Sequence, residues 1–223
     1  MFDFNRDVIE PKAKFHVFIG NTKHASTKEA FEVCKYSILS QASEDVSIIS
    51  VDPITKFSVP LKAKELGLSG RALYIDACFL FKGDIIELFK ETEDSEKLLW
   101  VVKFKDKIMW SSLMIFNLDN LTIYDKVPYP DRSYSQSYLY KFYWINRKES
   151  LGELEIGELP KEWNFIPEQS EKFISYENIK AINYLDVRRQ PWFTPSCKYS
   201  CEWYREYMLY FQNVVYINVK KHL

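Results

Sequence analysis

Short apolar runs separated by polar turns organise the first half of the chain. Phe15 to Ile19 (FHVFI) is rich in β-favouring residues and stops at Gly20, which predicts a first strand. Ser26-Thr27-Lys28-Glu29 has the form of a capping box, in which a hydroxyl caps the first amides and the glutamate reaches back. Behind it Ala30, Phe31, Cys34, Ile38 and Leu39 recur near helical spacing, so a helix is expected over Thr27 to Ser40. Val46 to Val51 predicts a second strand. Leu61 to Leu68 predicts a short helix, leaving through Gly67 and Gly70. Ala72 to Ile75 predicts a third strand that runs into Asp76, and Asp84 to Lys90 another short helix with Asp84 at its start. Leu98 to Phe104 and Met109 to Phe116 read as two more strands. The second half is less regular. Tyr138 to Ile145 reads as helix, Ile179 to Tyr184 as strand, Ser196 to Asn213 as helix and Val214 to Val219 as a last strand.

Strand, helix, strand, turn, strand is the signature of a twisted, mainly parallel α/β sheet flanked by helices. In such sheets ligands bind beyond the carboxyl ends of the strands, and Asp76 stands at one of those ends. The chain reads as a single domain over residues 1–223, with residues 1–14 as a flexible N-terminal arm.

Composition narrows the function classes. Hydrophobic residues make up 47% of the 223, enough for a sizeable core. Lys plus Arg is 30 and Asp plus Glu is 31, a net charge of −1 without a block of like charge. Nucleic acid is therefore a disfavoured partner, because duplex binding draws on clustered cations. With only six glycines there is no GxGxxG and no GxxxxGK[ST] phosphate loop. The four cysteines, Cys34, Cys78, Cys197 and Cys201, form no CxxC pair, and a reducing, cytoplasmic setting is expected. Apolar runs such as Leu98 to Val102 are far shorter than the roughly 20 residues of a membrane span, and no secretory leader is expected. Oligomeric state leaves no mark on the sequence.

The informative segment is Tyr74-Ile-Asp76-Ala-Cys78-Phe-Leu-Phe-Lys-Gly83-Asp84-Ile85. It resembles the metal-binding segment of GT-A glycosyltransferases, especially family 8 and small bacterial and viral relatives, which reads roughly Tyr-Leu-Asp-x-Asp-hydrophobic-Leu-x-x-Gly-Asp-Ile. Further likenesses follow in the same order. Phe18-Ile19-Gly20 with Glu32 to Ile38 resembles the nucleotide-binding first strand and helix. Trp110-Ser111-Ser112 to Asn117 resembles the donor-sugar segment. Ile156 to Asn164 resembles a Leu-Pro-x-x-Trp-Asn block, and Pro191-Trp192-Phe193 with Trp203 resembles the closing segment.

That resemblance implies a retaining hexosyl transfer from a nucleoside-diphosphate sugar, UDP-linked, to a glycan or other hydroxyl acceptor. It also implies Mn²⁺ or Mg²⁺ bridging the diphosphate, with Asp76, Cys78 and Asn183 at the ligand positions. Cys78 replaces the second acid of the motif, and a thiol is a soft ligand poorly suited to either ion. Asn183-Tyr184 stands where the family has His-Tyr. Lys62 or Lys64 is expected to serve for the family's arginine ahead of the third strand. Arg188 and Arg189 are expected to share the phosphate charge through bidentate guanidinium contacts. The donor is expected to meet Gly20, Asn21, Thr22, Lys62, Ser111, Ser112 and Asn117, with His24 nearby. Glu155, Trp163, Asn164 and Trp192 are assigned to the nucleotide-sugar and acceptor cleft. Two roles are open to Trp163 and Trp192: packing, or stacking on a sugar face. One of Glu153, Glu155 and Glu158 is assigned an acceptor contact or, alternatively, a surface turn. The competing reading of the whole chain is a catalytically degenerate domain that binds glycan or nucleotide.

Overall fold

The computed structural model describes residues 14–21, 25–93, 96–105, 107–145 and 155–216. Eight strands alternate with six helices among them: β1 Phe15–Gly20, α1 Ala25–Gln41, β2 Val46–Val51, α2 Val59–Glu65, β3 Arg71–Asp76, β4 Phe79–Phe81, α3 Ile85–Lys90, β5 Leu99–Val101, β6 Leu113–Asn117, α4 Thr122–Lys126, α5 Gln136–Tyr140, β7 Ile156–Glu158, β8 Ala181–Asn183 and α6 Ser200–Tyr210. Six strands form one sheet in the order β2-β1-β3-β6-β5-β7, and β4 with β8 forms a second, two-stranded sheet. Only β6 opposes its neighbours in the large sheet. The architecture is the mixed, mainly parallel α/β sheet expected from the pattern.

The strands read as continuous apolar runs because both sheet faces are covered. Side chains alternate between the faces. On β3, Leu73 and Ile75 join Val17, Ile19 and Phe81 in one core, while Ala72 and Tyr74 join Phe18, Phe57 and Phe116 in the other. A third apolar cluster, Leu80, Phe165, Ile182, Tyr184 and Trp203, ties the small sheet to α6.

Several boundaries differ from the sequence expectations, each for a local reason. The strand expected over Met109 to Phe116 begins only at Leu113, because Lys107–Ser112 closes a 3₁₀ turn. The Ser112 hydroxyl donates to the Met109 carbonyl at 2.9 Å, and the Trp110 indole N–H donates to the Phe104 carbonyl at 2.8 Å. These bonds take backbone acceptors that a longer strand would need. The Leu98 to Phe104 strand shortens to Leu99–Val101. The helix expected over Tyr138 to Ile145 ends at Tyr140, and Phe142 takes a left-handed φ of 58°. Tyr199, also left-handed at φ 60°, sets the start of α6. Val214 does not open a strand; Phe211–Tyr216 continues α6 as a π-helical turn. Residues 217–219 of that expected strand lie outside the described residues, as do residues 1–13 of the expected arm and the side chain of Ser26 in the expected capping box. The helix itself begins at Ala25, ahead of that box. Asp84 caps α3 as its position suggested, accepting from the Ile86 amide at 3.0 Å.

Gly157 on β7 lies in register with Trp100 on β5, and a Cβ there would stand 2.1 Å from the Trp100 ring. That ring is buried, with the Arg71 guanidinium 5.1 Å from its centre. Gly157→Ala is expected to destabilise the chain by about 1–3 kcal/mol through overpacking, read as a lower urea midpoint. A change below about 0.5 kcal/mol, the range of an ordinary surface substitution, shows that the indole swings aside freely.

Candidate active site at the carboxyl ends of the strands

Parallel pairing brings three strand ends level. Gly20 of β1 is in register with Val51 of β2 and with Asp76 of β3. Gly20 is needed there for closeness: a Cβ would sit 2.3 Å from the Tyr74 hydroxyl oxygen. That hydroxyl donates to the Asp76 carboxylate at 2.6 Å. Burial, and then the Asp76 charge, push the Tyr74 pKa well above its usual value, so the phenol remains a donor. Beside Gly20, the Asn21 amide donates to the Val51 carbonyl at 2.8 Å, and the Asn21 side-chain amide reaches Ser50 Oγ at 3.5 Å.

On the other side of Asp76 stands a residue that sequence reasoning missed. Lys56 lies in the 3₁₀ turn Pro53–Ser58 that follows β2, capped by Asp52, whose carboxylate accepts from the Ile54 amide at 2.9 Å. Its ammonium is 3.7 Å from Asp76 Oδ1 and 5.4 to 5.8 Å from the ring centres of Phe57, Tyr74 and Tyr140. Lys56 is only 8% exposed. The same turn gives Thr55 and Ser58 to a neighbouring cleft of about 930 Å³, which Val51, Lys62 and Tyr129 also line.

A buried polar ring closes the floor. Asn183 Nδ2 donates to Ser112 Oγ at 3.1 Å and to Asn164 Oδ1 at 2.9 Å, and Asn164 Nδ2 donates to Ser112 Oγ at 3.2 Å. The Cys78 thiol donates to Asn183 Oδ1 at 3.1 Å. β4–β8 pairing, which sets Phe79 opposite Asn183, brings the Asp76-to-Cys78 loop to this ring. Ser112 precedes β6, whose antiparallel register with β3 places it at the Asp76 end. Ser111 is buried beside it. Burial, and then Asp76, push the Cys78 thiol well above its ordinary pKa.

Other expected residues fall elsewhere. Asn117 faces Arg71 at the opposite end of β3, about 16 Å of strand from Asp76. Its carbonyl accepts from the Arg71 guanidinium, and its amide donates to the Lys97 carbonyl at 3.0 Å. Glu155 precedes β7 at that same far edge and is paired with Lys126 at 2.7 Å. These two positions are therefore corrections to the expected donor and acceptor set: antiparallel β6 and parallel β7 carry them to the amino end of β3. Trp163 is buried against Phe81, with ring centres 6.4 Å apart. Trp192 packs on Trp203 at 5.6 Å. Both indoles pack against aromatic neighbours. Arg188 is exposed and pairs with Asp186 at 3.2 Å; Arg189 pairs with Glu168 and, at 3.5 Å, with Asp186. Neither guanidinium comes within 4 Å of Asp76. Arg189 and Asn183 share a small cavity of about 170 Å³ with Tyr184 and Glu168. Lys62 is exposed and pairs with Glu65 at 3.1 Å; the Lys64 ammonium lies over the Tyr124 ring. Thr22, His24 and Glu153 lie outside the described residues.

No protein-family model and no curated protein matches the sequence. Solved structures do resemble the chain. The glycosyltransferase GlyE of Streptococcus pneumoniae TIGR4 is 12% identical with a TM-score of 0.60, over 93% of this chain and 65% of that one. The galactosyltransferase LgtC, solved with donor and acceptor sugar analogs, is 12% identical with a TM-score of 0.52, over 86% and 95%. A glycosyltransferase involved in glycosylation of the major capsid of PBCV-1 is 13% identical with a TM-score of 0.51, over 78% and 95%. The chain has the GT-A fold. It spans 65% of the length of GlyE.

On this GT-A scaffold the expected divalent ion meets an unsuitable set of donors. Asp76 supplies the only carboxylate among Asp76, Cys78 and Asn183. Its Oδ1 already accepts from Tyr74, and the Asn183 carbonyl already accepts from Cys78. Among the described residues no three His, Cys, Asp or Glu side chains cluster to hold a metal. A doubly charged ion on Asp76 would also face the Lys56 ammonium, which lies 3.7 Å from that carboxylate, and like charges repel. The residues present do not fit Mn²⁺ or Mg²⁺.

The raised Cys78 pKa lowers its thiolate fraction at any working pH. Iodoacetamide at pH 8 is expected to modify exposed Cys201 at least about tenfold faster than Cys78, since only the thiolate reacts. Asp76→Asn removes a charge that disfavours the thiolate and is expected to narrow the gap. Peptide mass mapping over time checks both, and equal rates in the unsubstituted chain contradict the assignment.

Proposed function

We propose that the chain is a glycosyltransferase that moves a hexose from a nucleoside-diphosphate sugar, UDP-linked, to a hydroxyl of a glycan or similar acceptor, with retention of configuration. The observation that carries this reading is the Asp76 carboxylate on a GT-A fold, level with Gly20 and Val51 at the strand ends; a cleft of about 930 Å³, lined by Val51, Thr55 and Lys62 but not by Asp76, opens at the β2 end of that row. A cleft of that size is in the range that holds a nucleotide-sized ligand. Beyond the carboxyl ends of parallel strands is where α/β sheets bind such ligands.

The residues then take these roles. Gly20 leaves room for the Tyr74 hydroxyl that holds Asp76, and Asn21 closes the β1 end beside it. Lys62 lines the cleft with its charge paired to Glu65. The Ser112–Asn164–Asn183 ring holds the floor beneath the sugar rigidly, since its groups bond to one another, to the Met109 carbonyl and to Cys78. Ser111 belongs to that floor. Stabilising the leaving diphosphate is the main catalytic task, and Asp76, itself an anion, serves it by holding positive charge at the strand end. A second reading, a non-catalytic glycan- or nucleotide-binding domain, is favoured by one feature: Cys78, a protonated thiol, stands where the resemblance places an acid.

Incubating the chain with UDP-glucose, UDP-galactose and other UDP-sugars, and measuring UDP release, separates the two readings. The transferase reading expects slow release without acceptor and a loss of about 100-fold or more in Asp76→Asn. Glycan binding without UDP release from any donor supports the binding module. Full turnover in Asp76→Asn removes Asp76 from the mechanism.

A further inference from the structure

Breaking a sugar–diphosphate bond leaves concentrated negative charge, which the site must meet with positive charge. The described cation within 4 Å of Asp76 is Lys56. Its surroundings are those of a built site. The side chain is nine-tenths buried, three aromatic rings present their faces to the ammonium, and the Asp76 carboxylate fixes its remaining side. Ring faces attract the charge but accept no conventional hydrogen bond. The nearest described oxygen, at 3.7 Å, is too far for one. Among the described residues, then, the three N–H groups of Lys56 have no hydrogen-bond acceptor. An ammonium held by a carboxylate and ring faces, with its N–H groups unfilled, is placed to take charge-assisted hydrogen bonds from phosphate oxygens.

We propose that Lys56 takes the place of a divalent ion: its ammonium binds the diphosphate oxygens of the nucleotide-sugar, and the chain works without metal. This deepens the transferase reading and rests on it. In the step itself the bond from the anomeric carbon to the diphosphate oxygen breaks, and its electron pair stays on that oxygen beside Lys56. The acceptor hydroxyl oxygen forms the new bond to the anomeric carbon, and its proton passes to the leaving oxygen. Lys56 makes and breaks no covalent bond. Asp76 becomes a positioning residue that holds the ammonium.

Calorimetry with inorganic pyrophosphate, in EDTA and in Mn²⁺, tests the assignment on the unsubstituted chain and on Lys56→Met and Lys56→Arg. The expected result is binding in EDTA that Mn²⁺ changes little. Lys56→Met should weaken it by about tenfold or more, the worth of a charge-assisted hydrogen bond, and Lys56→Arg should largely restore it. Binding that requires Mn²⁺, no binding in either buffer, or unchanged affinity in a folded Lys56→Met overturns the proposal. If Lys56→Met does not fold, the EDTA comparison on the unsubstituted chain still decides. UDP release from UDP-sugars in the same samples separates the two levels. Release that needs Mn²⁺ keeps the transferase and overturns the Lys56 role. Lys56-dependent pyrophosphate binding in EDTA without release from any donor keeps the Lys56 anion site and removes the transferase.

Discussion

The carboxylate of Asp76, held between the Tyr74 hydroxyl and the Lys56 ammonium, is the contact on which the rest of the site is built. It exists because three parallel strands stop level with one another. Gly20 leaves room for the Tyr74 ring tip, Tyr74 steadies the acid, and the turn after β2 returns Lys56 to it. A partly buried charge pair of this kind contributes little net stability, since desolvation offsets attraction. Its value lies in geometry: an ammonium and a carboxylate held at a fixed separation where a phosphate-bearing ligand would arrive.

The buried ring of Ser112, Asn164 and Asn183 serves the same end differently. Four segments distant in sequence meet there, the Asp76-to-Cys78 loop, the approach to β6, the turn after β7 and the end of β8. Each amide is satisfied by another member, so the network specifies one arrangement rather than adding adhesive. Cys78 joins it as a neutral donor. An acid at that position would face the Asn183 carbonyl and lie beside the Asp76 charge, and the local hydrogen bonding would have to be rearranged to receive it. The loop as it stands is consistent within itself, and that consistency is what turns the site away from a hard cation.

Charge elsewhere is largely spent. Arg188 and Arg189 face Asp186 and Glu168, and Lys62 faces Glu65, all on exposed ground where such pairs are weak. Trp163 packs on Phe81 of β4, and Trp192 packs on Trp203 of α6. The Lys56 ammonium, by contrast, is held by the Asp76 carboxylate at 3.7 Å and by three ring faces.

By itself, the sequence determined the layered α/β architecture, the first three strands and the position of Asp76. Those features depend on local signals: apolar runs of strand length, a cap, and an acid at the end of a run. It also marked Ser112, Asn164 and Asn183 through the order of the matching segments. Tertiary structure decided the rest. Antiparallel β6 carries Asn117 to the wrong edge, and β7 does the same for Glu155, because strand direction is a property of the sheet and not of the strand. Nor does any spacing rule tie Lys56 to Asp76, twenty positions along the chain. A turn, three rings from three parts of the molecule and a strand end had to meet before that lysine acquired its surroundings.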